Sequence, residues 1–133
     1  MLGPRSRHTA TLLSGGRVLV VGGRDPSGAS VAMAELYDPQ AGSWSSTGSM
    51  TIPRAYHAAA GGRSFDGEVP AAVATAEVYN PYIGIWSSAG NRSVARAYHT
   101  ATVLDDGRVL VCGGHSGATF YRQQLSTVEI YTP

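Results

Sequence analysis

The sequence predicts an all-β fold: about three antiparallel four-stranded units side by side, the middle one shortened, in a ring that does not close. Three observations carry this. One set of motifs recurs three times along the 133 residues. Glycine and proline, 17 and 7 residues, punctuate the chain at the density of many short strands and turns. No segment spaces its apolar residues as a helix does, while Arg17–Val21 (RVLVV) is the continuous run of a strand buried on both faces.

The repeat is read from four motifs. Arg5-Ser6-Arg7-His8 recurs as Arg54-Ala55-Tyr56-His57 and Arg96-Ala97-Tyr98-His99, an R-x-x-H corner. Gly22-Gly23 recurs as Gly61-Gly62 and Gly113-Gly114. AELYDP at 34–39 recurs as AEVYNP at 76–81 and VEIYTP at 128–133, aligning Glu35, Glu77 and Glu129, and Tyr37, Tyr79 and Tyr131. Trp44 and Trp86 each follow the repeat tyrosine by seven positions. The units run at about 1–50, 51–91 and 92–133 within a single domain.

In each full unit the first strand follows the corner, at about His8–Leu13. Ser14-Gly15-Gly16, or Asp105-Asp106-Gly107 in the third unit, turns the chain into Arg17–Val21 and Arg108–Cys112; glycine supplies the positive φ of a tight hairpin without steric cost. The third strand is Val31–Tyr37, with counterparts Val73–Tyr79 and Ser126–Tyr131. Proline at 39 and 81 ends it, having no N–H for a ladder. The fourth, about Gly42–Ser46 and Gly84–Ser88, holds the tryptophan. The middle unit has ten fewer residues between its histidine and glycine pair, so one strand and its turn are expected to be missing.

Short four-stranded units with a glycine pair and a tryptophan are the pattern of propeller blades. On Gly22-Gly23, Tyr37 and Trp44, on Gly61-Gly62, Tyr79 and Trp86, and on Gly113-Gly114 and Tyr131, the chain resembles the kelch repeat family. Its R-x-x-HTAT, GRVLV-GG and AELYDP variant resembles bacterial kelch proteins whose propeller is similar to that of galactose oxidase. The resemblance implies six or seven blades in a closed ring. Three units give an arc, whose outer faces would be apolar, with Val18, Val20, Leu110 and Tyr131 as candidates to line them; such faces invite a partner or self-association. Met1 occupies the repeat slot of Met50, so the chain is expected to be a piece of a longer propeller; pairing of two copies into a six-bladed ring is the next expectation.

Composition narrows the functions. A net charge of +1 gives no basic field for nucleic acid. No apolar run reaches the length of a membrane span, and the start lacks a secretory signal. The compartment stays open, although relatives with this repeat are often extracytoplasmic. Residues recurring in every blade are expected to be structural: His8, His57 and His99 each with one buried hydrogen bond, and Glu35, Glu77 and Glu129 paired with Arg5, Arg54, Arg96, a corner histidine or backbone amides, since a buried charge needs a partner. Carboxylates set one per blade do not converge as glycoside chemistry requires. The sole thiol, Cys112, fills the slot of Val21 and reads as a small buried hydrophobe. Nothing matches the copper motif of the oxidase, no glycine-rich phosphate loop opens a helix, and Ser14 and Ser116 lack a His–Asp pattern. No catalytic, metal or cofactor site is therefore expected.

Binding is expected in the loops between second and third strands, Arg24–Ser30, Arg63–Ala72 and His115–Leu125. The third, with His115, Phe120, Tyr121, Arg122 and two glutamines, suits a protein or glycan contact. The expected function is a non-catalytic interaction module; the alternative is a piece of a secreted galactose oxidase-like or carbohydrate-active enzyme whose catalytic residues lie elsewhere.

Overall fold

The computed structural model describes residues 1–60, 63–69, 71–116 and 123–132, and of 63–69 and 71–73 the backbone alone. Among them there is no helix, and so none long and apolar enough to cross a membrane. The first sheet takes β1 (Thr9–Leu12), β2 (Val18–Val21), β3 (Ala34–Asp38) and β4 (Ser43–Thr47) in sequential antiparallel order. The second takes β5 (Ala58–Ala60), β6 (Arg63–Val69), β7 (Ala71–Asn80) and β8 (Ile85–Asn91) in the same order. In the third, β10 (Val109–Cys112) lies between β9 (Thr100–Val103) and β13 (Val128–Tyr131). A short hairpin, β11 (His115–Ser116) with β12 (Gln123–Gln124), stands beside it.

The sheets meet edge-on through their first strands: β1 contacts β5, and β5 contacts β9. The Thr11 hydroxyl donates to the Ala59 carbonyl across the first of these junctions at 3.3 Å. Each sheet face then packs on the next unit, as the flat sheets of an open propeller do.

The middle unit corrects the sequence reading. It has four strands, because the missing residues come out of a hairpin and not out of the strand count. Leu13–Arg17 joins β1 to β2, whereas only two residues separate β5 from β6, with Ala60 opposite Arg63. The stretch 63–72, expected to be a loop, is mostly strand β6. Register also moves the glycine motif. Glu35 faces Val20 and Glu77 faces Ser64, so Ser64 holds the place of Val20 and the counterpart of Gly22-Gly23 is Asp66-Gly67. Gly61-Gly62 lie outside the described residues.

Two apolar clusters cement the arc. Leu13, Leu19, Val21, Ala34 and Leu36 of the first unit bury against Met50, Tyr79 and Trp86 of the second. Ala60 and Ala76 of the second meet Val109 and Val111 of the third, with Ala89, Ala101 and Tyr131 packed around them. Full burial of a Leu, Val or Met side chain contributes roughly 1.5–3 kcal/mol, so the first joint, filled by large side chains, is the stronger. The outer faces differ from expectation. Tyr131, on the Glu129 face of β13, packs inward against the middle unit, whereas Val20 lies on the outer Glu35 face of the first unit and is buried there. Val128 and Ile130, on the opposite face of β13, are the exposed pair.

Candidate functional site

Each corner is locked by its arginine. Arg5 pairs with Glu35, Arg54 with Glu77 at 2.7 Å and Arg96 with Glu129 at 2.6 Å. The guanidinium of Arg54 also donates to the Thr75 carbonyl at 2.9 Å and the Thr75 hydroxyl at 3.1 Å. Arg96 repeats this on Thr127 at 3.2 Å each. The second carboxylate oxygen accepts from the start of the same unit: the Leu2 amide for Glu35 at 2.8 Å, and the Thr51 amide and hydroxyl for Glu77 at 2.8 and 2.9 Å. The Ser93 hydroxyl donates to Glu129 at 2.9 Å. Arg54 and Glu77 are both buried, and charges taken out of water persist only when hydrogen-bonded this fully. The expected pairing is thus found in all three units. Burial works against ionisation of Glu129, but Ser93, Arg92 and Arg96 outweigh it and hold the carboxyl below its usual range.

The histidines divide. His57 Nε2 shares a hydrogen bond with the Thr9 hydroxyl of the preceding unit at 3.0 Å. His99, equally buried, has neither ring nitrogen bonded among the described residues. The residue at the Thr9 position of the middle unit is Ala58, which has no hydroxyl, so the expectation of one hydrogen bond for each histidine fails there. Burial first, with Arg54, His99 and His8 adding, pushes His57 down to about 3. Burial first, then Arg92 and Arg96 against the opposing Glu129, does the same to His99, also to about 3.

The corners carry a second feature that sequence reasoning missed. Arg7, Tyr56 and Tyr98, the third residue of each corner, have φ of 59°, 55° and 58°. Left-handed backbone in a residue with a Cβ costs roughly 1–2 kcal/mol and persists where the surroundings over-determine it. Here the flanking alanines 55 and 97 are buried. The Tyr56 amide donates to the Arg7 carbonyl at 3.3 Å and the Tyr98 amide to the Tyr56 carbonyl at 2.9 Å. The side chains form a column. Tyr56 and Tyr98 stack at 4.2 Å between centroids, and Tyr98 meets His115 at 4.7 Å. Arg7 and Arg24 lie over Tyr56 at 5.3 and 5.2 Å, within the range of cation–π attraction.

The column stands at the loop end of the blades. Ser6 bridges Arg24 and Ala97 bridges His115, which sets each corner beside the connection from second to third strand. The first of these connections is ordered by Asp25, whose Oδ1 accepts from the Ser27 hydroxyl at 2.6 Å and the Ser27 and Ala29 amides. His115, read as a residue in an exposed loop, lies in β11, is half-buried and packs on Tyr98. Phe120, Tyr121 and Arg122 lie outside the described residues. The signal for the column was in the sequence, since the third corner residue is always Arg or Tyr, but its backbone conformation was not.

Among the described residues, no group of three His, Cys, Asp or Glu could hold a metal ion. Comparison with curated proteins gives no match. The family model of the Kelch motif matches residues 4–51 and 95–133, more than half of the chain. The two matched stretches are the units with the full-length first hairpin, and the chain belongs to the kelch motif family.

Proposed function

We propose that the chain is a non-catalytic interaction module that presents the loop end of its blades to a protein partner, with the column of Arg7, Tyr56, Tyr98 and His115 at the centre of the contact. Kelch repeats commonly serve as interaction modules. The observation that carries the reading is the run of three strained corner residues whose side chains stack on one another at that end. Arg7 and Tyr98 are exposed there. Tyrosine and arginine dominate binding energy at protein contacts. Side chains held in place before binding lose little freedom on association. The repeat carboxylates support the non-catalytic part of the reading, each being engaged by an arginine of its own corner.

Selection from a displayed peptide library tests this. The chain is expected to enrich a defined sequence, and Arg7→Ala and Tyr98→Ala are each expected to weaken it at least tenfold. Tyr82→Ala, at an exposed tyrosine in the turn between β7 and β8, is expected to leave it unchanged. Binding indifferent to Arg7 and Tyr98 overturns the proposal.

A further inference from the structure

The chain carries both halves of a blade-to-blade joint that are not engaged with each other. In the first unit, Leu19, Val21, Ala34 and Leu36 form one face and are 1%, 0%, 2% and 7% exposed. Met50, Tyr79 and Trp86 of the next unit cover them. Strand register identifies the same face in the third unit: Leu19 faces Leu36 as Leu110 faces Ile130, and Val21 faces Ala34 as Cys112 faces Val128. There Val128 and Ile130 are 58% and 52% exposed, and Leu110 and Cys112 are half-buried. The covering set has counterparts at the other end of the arc. Met1, Tyr37 and Trp44 correspond to Met50, Tyr79 and Trp86; Met1 is 44% exposed against 4% for Met50, and Tyr37 and Trp44 are half-buried.

The polar parts of the joint correspond as well. A Cβ on Gly22 would lie 2.5 Å from the Arg54 carbonyl and 2.8 Å from the His57 ring, because the next corner sits on that glycine. Among the described residues a Cβ on Gly113 would meet only the Leu125 carbonyl at 3.7 Å, and no corner residue sits on it. The Gly23 amide donates to the Arg54 carbonyl at 2.9 Å, and Gly114 and Arg5 are the matching pair. Thr9 bonds His57 across the first joint; Thr100 is exposed on one outer face and His8 stands on the other. Apolar surface, backbone seat and hydroxyl–imidazole pair are complementary in the same register.

We propose that a second copy of this chain docks head to tail, the β10–β13 face of one copy receiving the Met1, His8, Tyr37 and Trp44 face of the next and reproducing the joint between the first and second units. Such a contact is heterologous, since two different surfaces meet. It uses neither face of the Tyr56–Tyr98 stack and stands independently of the loop-end reading.

Sedimentation and light scattering of the 133-residue chain over a dilution series test the proposal. The expected result is a concentration-dependent mass in whole multiples of one chain. Ile130→Glu and Trp44→Glu are each expected to give monomers that keep the strand signal in circular dichroism, and mixing the two is expected to restore a one-to-one complex through the single intact joint. The Cys112 thiol, on the receiving face, provides a readout without substitution: its labelling by a maleimide is expected to slow as protein concentration rises. A wild-type chain that stays monomeric, with Cys112 labelling independent of concentration, overturns the proposal. A Trp44→Glu variant that still self-associates overturns it in favour of like-on-like contact.

Discussion

Acidification from pH 7 to pH 5 is expected to destabilise this protein through its two buried histidines. His57 and His99 are buried and uncharged, each with a pKa near 3 against 6.5 for the exposed group. A depressed histidine pKa means that the unfolded chain binds protons the folded one refuses, so stability is complete above pH 6.5 and falls as pH drops toward 3. A pH of 5 lies 1.5 units below the unfolded imidazole's ordinary pKa of 6.5. At about 1.4 kcal/mol per unit that removes roughly 2 kcal/mol per histidine, or roughly 4 for the two. This is a large share of the roughly 5–15 kcal/mol of a typical domain. The assay is urea unfolding at fixed protein concentration, followed by tryptophan fluorescence at several pH values between 7 and 5. His99→Gln, which deletes one of the two titrations and no hydrogen bond to its ring, is expected to reduce the slope near pH 5 by about 1.4 kcal/mol per pH unit relative to wild type. Equal slopes for wild type and variant would refute the view of His99 as a buried neutral group.

Other consequences are as specific. Gly22→Ala is expected to cost more than Gly113→Ala by roughly 1–3 kcal/mol, the usual range for overpacking, since both have positive φ but only Gly22 carries the neighbouring corner; equal midpoints in urea would contradict the seat. Ala58→Thr places a hydroxyl where Thr9 has one and is expected to raise stability by about 1 kcal/mol, the net worth of a hydrogen bond to the bare His99 ring; an unchanged or lower melting temperature would show that the hydroxyl does not reach it. Arg54→Met strands the buried Glu77 carboxylate and is expected to cost roughly 3–5 kcal/mol. Arg108→Ala breaks an exposed pair with Asp106 at 2.7 Å and is expected to shift stability by less than about 1 kcal/mol; calorimetry on both variants decides.

Much of this architecture is visible in the residues themselves. The runs at Val18–Val21 and Val109–Cys112 show as strands because apolar continuity over so few residues admits nothing else, and the Arg–Glu pairs follow from two charges repeating in step inside apolar surroundings. The middle unit misled for a physical reason. Spacing from the histidine cannot show where residues are lost, and only the pairing of Glu77 with Ser64 shows that the second strand is kept. The corner column was hidden because no side-chain type announces left-handed backbone except glycine, asparagine and aspartate, and here Arg and Tyr adopt it. The bare ring of His99 follows from Ala58 replacing threonine, but only once it is known that each histidine faces the unit before its own.

The second cluster, small where the first is large, gives the molecule a preferred line of cleavage. In a linear array each unit is held only by its neighbours, and stability is a sum of unit and junction terms. A junction of Ala60, Ala76 and two valines is the weaker link beside one of leucines, Met50, Tyr79 and Trp86. The third sheet is therefore expected to swing away as a cooperative piece while the first two stay together. Amides of β9 and β10 would then exchange with solvent through a partial opening of lower free energy than those of β2 and β3, so that one short chain behaves as a stable two-blade block carrying a detachable third.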